Sequence, residues 1–582
     1  MIDQMFLQIA KLEGRGVPTR VAIALFLLYN VFILTIAITS IRSVFGARKP
    51  HDGTIKEPPI APYSVPFLGN LYAFASNTKS CLSSLRSKFG IEIPVRLRIG
   101  NRKIVAISGP ESMQSLFRSS KDLTTAPSVI MVLENSFAVP KSIRALYERD
   151  NTGLFGTPIA GSNPIPQKDR YWYIGHKIFH CGLQGQALEG LASRFMENLE
   201  EGLKELDIGE DWVPMDDLYE LVRQAVFKAS TTSLFGPHLF RLNPDLGKIF
   251  WEFDDNIVNL FKGVPRWLIP KSYRVRDQFV QAIRKWHDYA EGNINLEEDS
   301  SVPWEEYYGA KVMRDRAREL SAIDGMSAEG LAGEDAGMLW AANANIIPAI
   351  GWCILDTLMR PSLFAQVKAE IQKSLSDDNK LDRNALMNSP LIQSLWSEEL
   401  RLRGSVAIQR TPITPMFKIG KWAIPKGALI LGSSWHEQHE KSVWNEGPTV
   451  RDPNHHPVDE LWPERFLVYP DDHLSGPRKS ETRNENSTTP SSNDDLKDVE
   501  PKFTSQPVNG SFIPFGGGQR ACPGRFYAKY EAIGGMALFL NMFDVELENN
   551  RTEDVKMNWK YFAFGVVPPL GKFPGRIRRR KG

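Results

Sequence analysis

The chain has 582 residues, with 70 Lys and Arg against 68 Asp and Glu, a net charge of +2; 42% of its residues are apolar and 24% charged. These globular proportions exclude collagen-like, coiled-coil and wholly disordered chains, and the near-zero balance excludes a nucleic-acid protein built on a large basic surface. Four cysteines, at 81, 181, 353 and 522, exclude a disulfide scaffold; with no CxxC pair among them, a zinc ribbon or ferredoxin-type cluster is excluded too.

At about 150 residues per domain, length alone predicts roughly four domains. Residues 1–20 read as a tail. Residues 21–41, VAIALFLLYNVFILTIAITSI, carry no charge. At about 1.5 Å per residue they reach about 30 Å, one bilayer core. The competing reading is a cleaved signal peptide, whose apolar region is about 7–15 residues and starts nearer the N-terminus. The run reads as an uncleaved anchor, and the protein as single-pass. Charge does not orient it, because Lys11, Arg15 and Arg20 precede the run and Arg42, Arg48 and Lys49 follow. Residues 42–66 read as a basic and then proline-rich hinge, in which Pro58, Pro59, Pro62 and Pro66 deny the chain helix.

Further along, residues 94–107 alternate apolar and polar around Gly100-Asn101, which predicts a hairpin. Residues 109–120 open like a helix. Over 273–290, Val275, Phe279, Ile283 and Trp286 fall on one stripe of an amphipathic helix packed on a core. Residues 335–360 form a long, mostly apolar helix pattern with a kink expected at Pro348, which has no N–H for the Ala344 carbonyl. Residues 471–500 contain no aromatic and three aliphatics, too few to offset the entropy of ordering; they read as a disordered insertion, with a sequon at Asn486. The basic end, 576–581, reads as a solvated tail or a contact for anionic lipid.

Residues 511–531, SFIPFGGGQRACPGRFYAKYE, differ from the surroundings of the other cysteines. A lone intracellular Cys is usually a small buried hydrophobe, which suffices for Cys81, Cys181 and Cys353. Around Cys522, Gly516, Gly517 and Gly518 allow a tight turn and close approach to a flat ligand. Arg520 is a cation suited to a carboxylate. Pro523 and Gly524 lead into a helix, whose dipole and free N–H groups favour a thiolate at its start. A thiolate with N–H donors on its sulfur suits an axial haem ligand.

The frame Phe515-x-x-Gly518-x-Arg520-x-Cys522-x-Gly524 resembles the haem-binding loop of the cytochrome P-450 superfamily. Upstream, in the order that family shows, stand SEELRL with Glu398 and Arg401, and WPERF with Arg465. The resemblance implies a mainly α fold with small β-sheets behind one N-terminal transmembrane helix, and one catalytic domain over 67–582 in place of four. It implies haem b bound through Cys522, with Phe515, Gly518, Gly524 and Arg520 around it. It makes Glu398, Arg401 and Arg465 a buried structural network, and places Trp172, His176 and Arg410 as further propionate contacts. His176 stands where the family usually has Arg.

The string WAANANIIPA resembles the branch of sterol 7α- and 12α-hydroxylases and prostacyclin synthase. Most members carry an acid followed by Thr in this helix; here Ala344 and Asn345 stand there, with Ile346 next. Asn345 hydrogen-bonds but is no acid at neutral pH, so protons would travel through water held by Asn345 and the Ala344 carbonyl. The resemblance implies a monooxygenase that uses dioxygen and an NADPH-dependent flavoprotein reductase, in the endoplasmic reticulum membrane with its catalytic domain cytosolic and its anchor in lipid. An apolar substrate, a sterol, terpenoid or other secondary metabolite, would sit among the loop around 124–140 and residues 341–345, 406–408 and 562–567. A reductase-independent isomerase or dehydratase acting on a peroxide, and a non-catalytic haem or sterol binder, stay open as alternatives.

Overall fold

The computed structural model describes residues 19–48, 55–296, 302–378, 380–480, 499–506 and 508–581. The backbone divides into two compact units, residues 1–125 with 408–433 and residues 126–407 with 434–582. The smaller unit is assembled from two separated stretches of chain.

In the smaller unit the N-terminal helix runs Thr19–Ala47, six residues past the expected end at 41. Arg42 does not stop it, because the last turns have a packing partner. Thr39 Oγ1 donates to the Tyr63 carbonyl (3.0 Å) and accepts from the Tyr63 N–H (3.2 Å). Ser43 is fully buried, and Gly46 lies so close to Pro59 that a Cβ there would stand 3.0 Å from the proline Cβ. Before Thr39 most of the helix's described side chains are exposed and apolar. The proline segment is no free hinge. Its Pro59 carbonyl and Ala61 N–H pair with Arg96 at 2.7 and 2.8 Å, so it runs along the edge of the first strand. Residues 49–54 of the hinge and 1–18 of the tail lie outside the described residues.

The expected hairpin forms from Val95–Ile99 and Arg102–Ala106, turning at Gly100, whose φ of +57° suits glycine. Leu429–Ser433 joins its second strand in parallel. Helix Pro110–Arg118 begins with its proline in the first turn and buries Met113 and Leu116.

The larger unit is mainly helical. Helix Pro270–Glu291 buries Val275, Phe279, Ile283 and Trp286 as its stripe predicts, with Phe279 stacked 4.6 Å from Phe253. The apolar pattern at 335–360 is two helices, Ala328–Asn343 and Ile346–Leu358. The interruption falls at Ala344–Asn345 rather than at Pro348. A proline disturbs the turn before it, where its ring meets the carbonyl four residues back. These helices are long and apolar enough together to cross a membrane, but 72% of their most apolar window is buried in protein.

Two expectations are corrected at the C-terminal side. Residues 471–480 are ordered: Asn445 Nδ2 donates to the carbonyls of Leu474 (2.8 Å) and Gly476 (2.9 Å), and Asp472 is buried, accepting from Arg451 N–H. Composition missed them because polar side chains of neighbouring loops, not apolar area, hold them. Residues 481–498, with Asn486, lie outside the described residues. The basic end is no solvated tail. Gly575–Arg579 is a strand paired with Phe543–Leu547 and Val213–Met215. Arg576 pairs with Glu546 (2.7 Å), and Arg578 and Arg580 with Asp544 (3.2 and 3.1 Å). Arg579 Nη2 donates to the carbonyls of Leu203, Lys204 and Leu206.

Candidate active site

Cys522 ends a compact loop. Its N–H donates to the Phe515 carbonyl at 2.9 Å, closing the turn around Gly516 (φ +71°) and Gly518 (φ +67°), both in backbone that favours glycine. Two residues on, helix Arg525–Met542 begins with Gly524 as its cap. The cysteine residue is exposed, yet its sulfur sits close against the loop. Burial prevails and holds the thiol above its ordinary value, against the downward pull of the Gly524 N–H, the Arg525 charge and the Arg525 N–H. Those aimed donors, at the positive end of an 18-residue helix, fit a thiolate ligand. A Cβ on Gly524 would meet the sulfur at 3.9 Å, an ordinary contact. By contrast, burial alone holds the Cys81 thiol up, and Cys353 is sealed in the core.

Arg520 lies within this loop, and burial pulls its guanidinium down to about 10. Helix Tyr171–Gly182 comes next to it: burial lowers the His176 imidazole, and the charges of His180 and Arg520 add to that. A half-desolvated cation and a neutral imidazole together suit an anionic ligand group. On the same helix the Trp172 indole N–H donates to the Tyr147 carbonyl at 3.2 Å. Arg410 belongs to the other unit, where its Nη1 donates to the Gln409 carbonyl.

The Glu398, Arg401 and Arg465 side chains are all fully buried. Arg401 grips Glu398 through two nitrogens (2.7 and 2.8 Å), and Arg465 Nε reaches the same carboxylate at 3.0 Å. The remaining donors of Arg401 go to the carbonyls of Gln438 (2.9 Å) and Val458 (2.7 Å); Arg465 reaches the Asn445 carbonyl. Burial alone would raise the Glu398 carboxyl, but the two guanidinium charges hold it below its ordinary value. Such a network tolerates burial because one carboxylate is shared by both guanidinium groups and backbone carbonyls take their remaining donors.

At the helix interruption, Asn345 Oδ1 accepts from the Val566 N–H at 2.9 Å. Strand Phe564–Val566 in turn pairs with Gly404–Val406. The helix break, residues 404–406 and residues 564–566 therefore meet. Residues 126–136 are a helix rather than a loop. An aromatic wall follows: Phe564 lies 5.0 Å from Phe261, Phe261 5.6 Å from Trp340, and Trp340 6.1 Å from Phe137. Trp340 Nε1 donates to Asp254 at 2.8 Å, and burial raises that carboxyl to about 6.

Three features escape sequence reading. Val566 contributes only its backbone N–H, which no residue type signals, and Gly565 reads as one glycine among 44. A buried cluster on the first half of the broken helix is the third. Glu334 accepts from the hydroxyls of Tyr147 (2.9 Å) and Tyr171 (2.5 Å), while Asp335 takes Arg316 (2.8 Å) and His287 (3.0 Å). Its one signal is two consecutive acids inside an apolar helix.

The profile of the Cytochrome P450 family matches residues 160–464 and 500–574. The cytochrome P450 monooxygenase fsoE of Humicola fuscoatra is 32% identical over 93% of this chain and 91% of its own. Monooxygenase efuG of Hormonema carpetanum is 33% identical over 96% and 97%. Cholesterol 7-alpha-monooxygenase of Cricetulus griseus is 24% identical over 68% and 73%. Among solved structures, a retinoic acid-bound cyanobacterial CYP120A1 superposes with a TM-score of 0.60 at 17% identity, over 91% of this chain and all of that one, so the fold is shared.

Fold and relatives together define an oxidoreductase of the haem-thiolate class. The chain belongs to the cytochrome P450 family, and its activity is that of a monooxygenase. Its cofactor is haem with a cysteine thiolate on the iron; it takes a small-molecule substrate, dioxygen and electrons from a redox partner. The non-catalytic reading falls with that membership.

Proposed function

We propose that Cys522 is the thiolate ligand of the haem and that the protein oxidises an apolar polycyclic substrate, a sterol or terpenoid, with electrons from an NADPH-dependent flavoprotein reductase. The observation that carries this is the Cys522 sulfur with the Gly524 and Arg525 N–H groups turned to it at a helix start. Arg520, with His176 in its field, would hold a haem propionate; Glu398, Arg401 and Arg465 keep the surrounding chain rigid. Bound haem supplies the activation of dioxygen and the oxidation of the C–H bond.

The protein's own residues orient the substrate and handle protons. The wall of Phe261, Trp340 and Phe564 favours an apolar skeleton, and a sterol-oxidising relative supports the class. Asn345 has no proton to give as an acid, so it and the Ala344 carbonyl, which Pro348 cannot satisfy, hold water that carries protons. The exposed N-terminal helix anchors the chain in the lipid of the endoplasmic reticulum with the catalytic part in the cytosol.

Incubation with reductase, NADPH, labelled dioxygen and a panel of sterols and terpenoids tests the proposal. Label in a hydroxylated product supports it. The missing acid favours one other reading, rearrangement of a peroxide substrate, and product formed from a peroxide without reductase or NADPH would establish that one instead.

A further inference from the structure

Asn345 and strand Phe564–Val566 are locked together more tightly than a single hydrogen bond requires. The Val566 N–H is a donor, so the atom facing it at 2.9 Å is the carboxamide oxygen. That oxygen occupies the space over Gly565. A Cβ there would overlap Oδ1 and stand 3.0 Å from Nδ2. Gly565 also has φ +138°, a backbone that side-chain-bearing residues rarely adopt.

The strand cannot easily retreat. The Ala563 N–H donates to Ser405 Oγ at 2.9 Å, the Val567 N–H to the Arg403 carbonyl at 2.9 Å, and Trp352 Nε1 to the Val567 carbonyl at 2.8 Å. On the other side, Ala344 and Asn345 sit outside regular helix. Among the described residues no protein acceptor engages Asn345 Nδ2.

We infer that Gly565 and the Val566 N–H form a clamp that holds the Asn345 carboxamide oxygen-inward, so that residue 345 offers the site hydrogen-bond donors only. Gly565 is a positioning residue that acts through Asn345. The group it serves is an oxygen lone pair, carried by a substrate hydroxyl or carbonyl or by water. The inference rests on the placement of Asn345 at the reacting face proposed above.

A double-mutant cycle on the haem-loaded, full-length protein tests it. Gly565→Ala lowers Tm by several degrees in the native background and by clearly less in Asn345→Ala, because truncation removes the colliding oxygen while the backbone strain stays. Amide exchange of the peptide containing Val566 speeds by about tenfold in Asn345→Ala. It stays slow in Asn345→Asp, whose carboxylate oxygen still accepts.

Equal Tm losses in both backgrounds, or unchanged exchange in Asn345→Ala, overturn the clamp. Fast exchange in Asn345→Asp overturns the oxygen-inward orientation. In turnover, Gly565→Ala, Asn345→Ala and Asn345→Asp all divert NADPH electrons from product to hydrogen peroxide; an Asp variant as well coupled as the native enzyme overturns the donor role. Should the native enzyme itself form no oxygenated product, the monooxygenase reading of the site fails, while Tm and exchange still decide the clamp.

Discussion

Glu398 and Arg401 lie one helical turn apart and meet through two nitrogen–oxygen contacts, 2.7 and 2.8 Å, with no solvent access to either side chain. The carboxylate also receives Arg465 at 3.0 Å and the Trp462 N–H at 3.1 Å. Four donors on one buried acceptor leave no easy replacement. Glu398→Ala strands two buried guanidinium groups and is expected to cost about 3–5 kcal/mol. Urea unfolding of the purified holoprotein should show the midpoint fall, with Arg401→Lys intermediate because an ammonium cannot grip both oxygens.

Glu531 gives a pH prediction. On helix Arg525–Met542 it is buried beside Tyr527 and Ser230, and burial raises its carboxyl from 4.5 to about 8. The unfolded chain loses this proton near pH 4.5 while the folded chain keeps it until about 8. The unfolded state therefore binds fewer protons across that window, and this group's contribution to stability falls as pH rises, levelling off above 8. Glu531→Gln removes the loss, so its stability advantage over the native protein should grow from pH 5 to pH 8, by an amount on the order of a few kcal/mol. Thermal melts of both proteins at the two pH values read it.

The four cysteines separate cleanly in a spectroscopic test. Cys522→Ser should abolish the thiolate–carbonyl absorption of the reduced, CO-treated protein. Cys81→Ser, Cys181→Ser and Cys353→Ser should keep it, the last with some loss of stability, since Cys353 is buried in apolar surroundings.

The N-terminal helix predicts a difference between two truncations. Removal of residues 1–37 leaves Thr39 paired with Tyr63 and Gly46 against Pro59. Removal of 1–47 takes both contacts away. The shorter truncation should melt higher than the longer one, although both lose most of the exposed apolar helix.

Much of this was legible in residues alone. The hairpin at 95–106 follows from period-two alternation and a Gly-Asn turn, and helix 270–291 from its apolar stripe. The cysteine loop is legible because glycine, arginine and a thiol must stand at fixed offsets. Glu398, Arg401 and Arg465 are legible only together, since a Glu-x-x-Arg pair alone decorates many solvated helices. What stayed hidden depends on long-range partners. The N-terminal helix outruns its apolar stretch because Tyr63 and Pro59 receive it. The arginines at 576–580 look like a loose tail until Asp544 and Glu546 appear opposite. The Asn345 clamp uses a backbone N–H and a missing Cβ, neither of which a side-chain pattern records.

The Arg579 bond to the Leu203 carbonyl joins positions 376 residues apart. That separation turns a static contact into a matter of timing. The ribosome releases helix Gly185–Lys204 long before strand Gly575–Arg579, which ties its end, so this part of the larger unit stays open until that strand is made. Meanwhile the half-made protein waits with apolar helices uncovered. A chain cut short before that strand would therefore be read by the cell as a folding failure.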